Sequence, residues 1–213
     1  MRGVEPNNMP FPLSEHIRKA IQHHFRRKNL VWDEAYFVNV LKTSENKHDI
    51  YWAVLALREC GTVNCIPPLK EKLNYPMQDV KCTSILTIAH IAGTAETPFY
   101  AEALLSSDYR EKGYAMWAIK DAADSRAVEA VLGYFKKNRS KLKNGKLTNA
   151  TLADGLEYLE QHLNENDEIL SFFAEVEGLW VKLPQGERAE IAKRVKFFSK
   201  QAGHAQQIVA LDA

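Results

Sequence analysis

A spacing of 31 residues constrains this chain more than any other feature. The segments ALRECGT (56–62), TIAHIAG (87–93) and AIKDAAD (118–124) superpose at that offset without a gap. Leu57, Ile88 and Ile119 share a column, as do Cys60, Ile91 and Ala122, and Ala53, Ser84 and Ala115 supply small residues at a third. In the second half of each unit, Ile66/Leu69/Leu73, Thr97/Tyr100/Leu104 and Val128/Val131/Phe135 recur at i, i+3 and i+7, which is one face of a helix.

Each unit therefore reads as a helix A, a tight turn and a helix B. Pro67, Pro68 and Pro98 stand near the starts of B helices, where a missing N–H costs little. Gly61 and Gly93 are expected to close A helices in the left-handed conformation, and Thr62, Thr94 or Ser125 to cap the next helix. Two antiparallel helices of this length cannot bury their apolar faces alone, so the units must stack. The expected fold is all-α: an α-solenoid of helical hairpins with a helical C-terminal cap, forming one domain over 1–213. Its parts are an irregular N-terminus (1–12), helical repeats (13–136, best at 49–136), a basic loop (137–147), C-terminal helices (148–203) and a tail (204–213). Ser14 and Asp33 are the expected caps of a degenerate first pair, 13–28 and 33–43, and Asn144-Gly145 signals a turn.

The segments ALRECG and CIPPL resemble the HEAT repeats, specifically the short HEAT-like type named after phycobilisome lyases, with an alanine-rich end to helix A and I-P-x-L in helix B. The resemblance covers roughly 49–136 and weakens in the third unit, where AIKDAAD lacks the glycine. It implies the solenoid fold and speaks little to function.

Charge and composition exclude several classes. With 28 Lys+Arg against 27 Asp+Glu the net charge is +1, so no global field draws the chain to nucleic acid or membrane. No apolar run approaches a membrane span, and the N-terminal stretch has no apolar secretory core; a cytoplasmic protein is expected. Three cysteines, Cys60, Cys65 and Cys82, fit reduced thiols. Phosphate-cradling Gly loops, G-x-S-x-G, H-E-x-x-H and paired C-x-x-C are absent, and no His is followed by Glu, which removes the His-Glu dyads of HEAT-like di-iron hydroxylases. No cofactor or resident metal is expected, and an enzyme is the less favoured class.

Two constellations carry the enzymatic alternatives. Glu59, His90 and Asp121 occupy one column, a row suited to acid/base work, to holding a metal, or to a solvated polar stripe. Trp117 and Asp121, four apart, resemble the pair with which HEAT-like alkylpurine DNA glycosylases cradle a damaged nucleotide; the column shared with Leu55 and Leu86 assigns Trp117 to packing instead. A bilin lyase or tetrapyrrole chaperone is a third class, by resemblance of repeat type alone.

The leading expectation is a non-enzymatic module that binds another protein, as an adaptor or as an inhibitor such as a bacterial immunity protein. The B-helix stripe opposite the apolar register contains Glu71, Lys72, Tyr75, Phe99, Glu102, Tyr134 and Lys137, an aromatic and mixed-charge surface suited to a protein partner. Pro68 belongs to the same stripe, and Tyr75 and Phe99 have packing into neighbouring repeats as their alternative role. Nucleic acid is the lesser alternative, through the basic run 136–146; Lys193, Lys196 and Lys200 on the last helix and HHFRRK (23–28) are further basic groups. The sequence leaves the oligomeric state open.

Overall fold

The computed structural model describes residues 13–26, 30, 32–147 and 150–199. Expectations for 1–12, Arg27, Lys28, Lys200 and the tail lie outside the described residues. Among the described residues twelve α-helices succeed one another: α1 (Glu15–His24), α2 (Glu34–Thr43), α3 (Lys47–Cys60), α4 (Ile66–Glu71), α5 (Gln78–Ala92), α6 (Thr97–Ala103), α7 (Tyr109–Ala122), α8 (Val128–Lys137), α9 (Arg139–Lys143), α10 (Ala150–Gln161), α11 (Asp167–Gly178) and α12 (Gln185–Arg194). Short 3₁₀ turns join several of them, and no strand occurs among the described residues.

Packing obeys the repeat. α1, α3, α5, α7, α10 and α12 lie each against the next as one layer, while α2 packs on α4, α6 on α8 and α8 on α11 in the second. The all-α solenoid is thus the observed fold. Leu57, Ile88 and Ile119 are fully buried, as are Ala53, Ser84 and Ala115, whose small size lets neighbouring A helices approach. Side chains tie one unit to the next: Thr87 donates to the Val54 carbonyl at 3.2 Å, and the Asp124 N–H donates to Thr97 Oγ1 at 3.2 Å.

Local chemistry sets the helix starts. Ser14 accepts from the Ile17 N–H and Asp33 from the Ala35 N–H, capping α1 and α2. Prolines occupy the first turn of α4 and of α6. The elbows differ from the expectation. Gly93 has φ +53°, reachable by glycine at low cost, but Gly61 has φ −75° and is ordinary extended backbone. Glycine is needed at 61 for space, because a Cβ there would stand 2.4 Å from the Leu57 carbonyl oxygen and 2.8 Å from Ile91 Cδ1. Thr62 does cap its turn, whereas Asp124, not Ser125, caps the third, and Thr94 makes no such bond.

Residues 137–147, expected as a loop, hold the short helix α9, with the turn confined to Asn144-Gly145, where Gly145 has φ +62°. Leu142, fully buried, anchors that helix to the core, which is why so basic a stretch is ordered. α10 then settles beside α7 out of the 31-residue register, close enough that a Cβ on Gly155 would lie 2.5 Å from the Phe135 ring.

Candidate functional site

The register assigns Trp117 to the core, and the structure overturns this: Leu55 and Leu86 are 6% and 3% exposed, but Trp117 is 40% exposed. The reason lies on one face of α7. Where α5 carries buried Cys82, Thr83, Leu86 and Ala89, the positions 31 residues later are Gly113, Tyr114, Trp117 and Lys120. Those four line a cavity of about 790 Å³ bounded by α7, the end of α8, α9 and α10, with Arg194 of α12 at its edge.

The cavity wall is aromatic and basic. Tyr109, Tyr114, Trp117 and Tyr134 line it, with the Tyr114 and Trp117 rings 6.2 Å apart. Trp117 Nε1 donates to Asp121 Oδ2 at 2.8 Å, and the Lys120 ammonium pairs with the other carboxylate oxygen. On the α10 side, Arg194 pairs with buried Asp154 and donates to Glu157 at 2.7 Å. Burial pushes the Asp154 carboxyl above its usual range, against the opposing pull of Arg194. Arg110, Lys112, Lys141 and Lys146 complete the basic wall.

The Glu59, His90 and Asp121 side chains make no hydrogen bond to one another. Glu59 binds Arg18 at 2.7 Å and accepts from the Leu13 N–H, and Asp121 is held by Trp117 and Lys120. His90 sits half-buried, its pKa lowered first by burial and then by the Arg58 charge, with Glu59 and a hydrogen bond to the Arg58 backbone opposing. Among the described residues no group of three His, Cys, Asp or Glu side chains is placed to hold a metal. Burial pushes the Cys60 and Cys65 thiols up to about 12, so both are thiols at neutral pH.

The B-helix stripe is divided by the structure. Glu71, Glu102 and Lys137 are exposed, while Lys72 is half-buried with its ammonium 5.7 Å from the Tyr75 ring centre. Tyr75 and Phe99 are half-buried against the core, and Lys70 covers Phe99 at 5.1 Å. Pro68 is buried. Tyr134 leaves the stripe altogether: it is 9% exposed, hydrogen-bonded with Thr151 and part of the cavity wall, because α10 covers this side of α8.

Sequence reasoning paired Trp117 with Asp121 on one helical face but did not bring Tyr134 to them, and it passed over Tyr114, Lys112, Lys120 and Arg194. The readable signal was the replacement of small and apolar residues on α5 by glycine, aromatic and lysine residues at the matching positions of α7.

Repeated helical pairs in two layers, a constant spacing between them and an open cleft where the spacing breaks define a helical repeat protein of the solenoid class. Residues 50–75 match the family model described as PBS lyase HEAT-like repeat, and the repeated helices are consistent with a HEAT-like repeat protein. A search of curated protein sequences gives no match. No helix among the described residues is long and apolar enough to cross a membrane.

Proposed function

We propose that the chain is a binding module whose partner is another protein, and that the partner seats in the cleft between α7 and α10. The observation that carries this reading is Trp117, exposed in a column whose other members are core. Trp, Tyr and Arg concentrated in a water-accessible hollow are the residue types that dominate protein interfaces. Exposed Glu71, Glu102 and Lys137, with Lys72, serve in this reading as a second, weaker contact surface. An adaptor and an inhibitor both need only such a surface.

Affinity capture of the tagged full chain from a lysate of its source, beside Trp117→Ala, tests the reading. One protein recovered in stoichiometric amount with the wild type and lost with the variant is expected. Equal recovery by both chains would remove the cleft from the account.

A second reading, the alkylpurine DNA glycosylase, is favoured by one observation, the Trp117–Asp121 hydrogen bond at the open cleft. Against it, Asp121 already answers both Trp117 and Lys120, which leaves little free negative charge for a developing sugar cation. Release of alkylated bases from damaged DNA by the wild type, abolished in Asp121→Asn, would put this reading first.

A further inference from the structure

The charges around the cleft are not balanced. Six cations line it against two carboxylates, Asp154 and Glu157, a net of +4 that leaves −3 on the rest of a chain whose total is +1. Both carboxylates are spent on Arg194, and Lys120 is spent on Asp121. Lys112, Lys141 and Lys146 form no ion pair among the described residues, and Arg110 donates from Nε to the neighbouring Tyr109 hydroxyl at 3.4 Å. Of the neighbouring exposed cations, Lys136 and Arg139 pair with Glu168 and Glu175, whereas Lys137 and Lys143 form no ion pair among the described residues.

Four cations without an ion pair thus line the cleft together with Trp117 and Tyr114. Like charges held together repel one another, and an occupant of opposite charge relieves that repulsion while steering its own approach. We propose that the occupant of the cleft is an acidic polypeptide segment, whose carboxylates answer Arg110, Lys112, Lys141 and Lys146 while an apolar or aromatic side chain packs on Trp117. The inference rests on the reading that the cleft is the partner site, and it adds the chemistry of the partner.

A peptide fits better than a nucleic acid strand. Polyphosphate binding draws its strength from cations spread along a tract, and here the cleft lining carries a net +4 while the remainder of the chain carries −3. The Glu157 and Asp154 carboxylates on the α10 wall would also face the phosphates, whereas a segment with a few spaced carboxylates can avoid them.

The test is selection of displayed random peptides on the full-length protein, followed by fluorescence anisotropy of the recovered peptides at low and high salt. The comparison chains are Trp117→Ala and the triple variant Lys112→Glu/Lys141→Glu/Lys146→Glu. Asp and Glu are expected to be enriched over the input library, with affinity falling about tenfold or more in the triple variant and weakening with salt. Lys141 and Lys146 are exposed, so their two single reversals carry the test should the triple variant unfold. Recovery of neutral or basic peptides that still require Trp117 would overturn the acidic occupant and leave the cleft as the partner site. No recovery above background, or unchanged affinity in the reversed variants, would overturn the proposal as well. A single-stranded oligonucleotide bound more tightly than any peptide would overturn both readings together.

Discussion

Leu86 on α5 and Trp117 on α7 occupy the same position of the same repeat, yet one is core and the other faces an open cleft. A repeat register states where a side chain points; burial depends on what arrives next. α5 is succeeded by α7 in register, which covers the face of Cys82, Leu86 and Ala89. α7 meets α10 only after the inserted α9 and its turn, so the face of Gly113, Trp117 and Lys120 is left open. The break in periodicity thus makes the site: a perfect solenoid would have buried it.

The sharpest way to break this comparison is to truncate both members. Leu86→Ala removes a 3% exposed side chain from between two A helices and is expected to cost about 2–5 kcal/mol. Trp117→Ala, although it deletes more atoms, is expected to cost less than about 1 kcal/mol of stability while abolishing partner capture. Chemical denaturation midpoints of the two variants decide it. A Trp117→Ala cost equal to that of Leu86→Ala would show that the third unit is packed like the second.

The two elbows offer a finer contrast, because Gly61 and Gly93 are required for different reasons. At Gly93 the backbone itself resists substitution, since φ +53° with ψ −135° is a region that residues with a Cβ rarely enter, and nothing stands within 4 Å of where a Cβ would project. At Gly61 the backbone is ordinary and the space is full. Alanine at either position is expected to cost about 1–3 kcal/mol. Ile91→Val removes the Cδ1 that would crowd a Cβ at 61, so in a double-mutant cycle it should recover part of the Gly61→Ala loss and none of the Gly93→Ala loss. Equal coupling at both elbows would mean that one mechanism serves for both.

These contrasts also mark what was legible in the sequence. The helical pairs, their buried columns and the caps Ser14 and Asp33 come from period and local hydrogen-bonding chemistry, which any stretch of chain carries within itself. Trp117, Asp121 and Tyr134 were readable as residues of interest, but the place where they meet depends on α10, which arrives from outside the register. Tyr134 was expected on an outward stripe, but three residues after Val131 it lies on the same side of α8, and α10 covers that side and makes it a wall of the cleft. Periodicity describes a unit, whereas a site formed at the end of the periodicity needs the tertiary contact to be seen.

The polar column tests the same distinction most gently. His90 stands between Glu59 and Asp121 in register, but each carboxylate has its own cation, and the half-buried imidazole is left with the Arg58 backbone as its hydrogen-bond partner. Burial, then the Arg58 charge, lower its pKa from the ordinary 6.5, with Glu59 pulling the other way. The folded state therefore favours the neutral ring, and the unfolded chain takes up the proton first as pH falls. Stability is full above 6.5 and declines as pH drops through that value toward the lower folded one. His90→Gln removes the titration, so its melting temperature should fall less between pH 7 and pH 5 than that of the wild type. A proton titration of the His90 ring monitored by NMR reads the same quantity directly, and Arg58→Gln should move its midpoint upward, with Glu59→Gln moving it downward. A midpoint at the ordinary value, unmoved by either neighbour, would return His90 to the solvated stripe and leave the column without any electrostatic coupling along it.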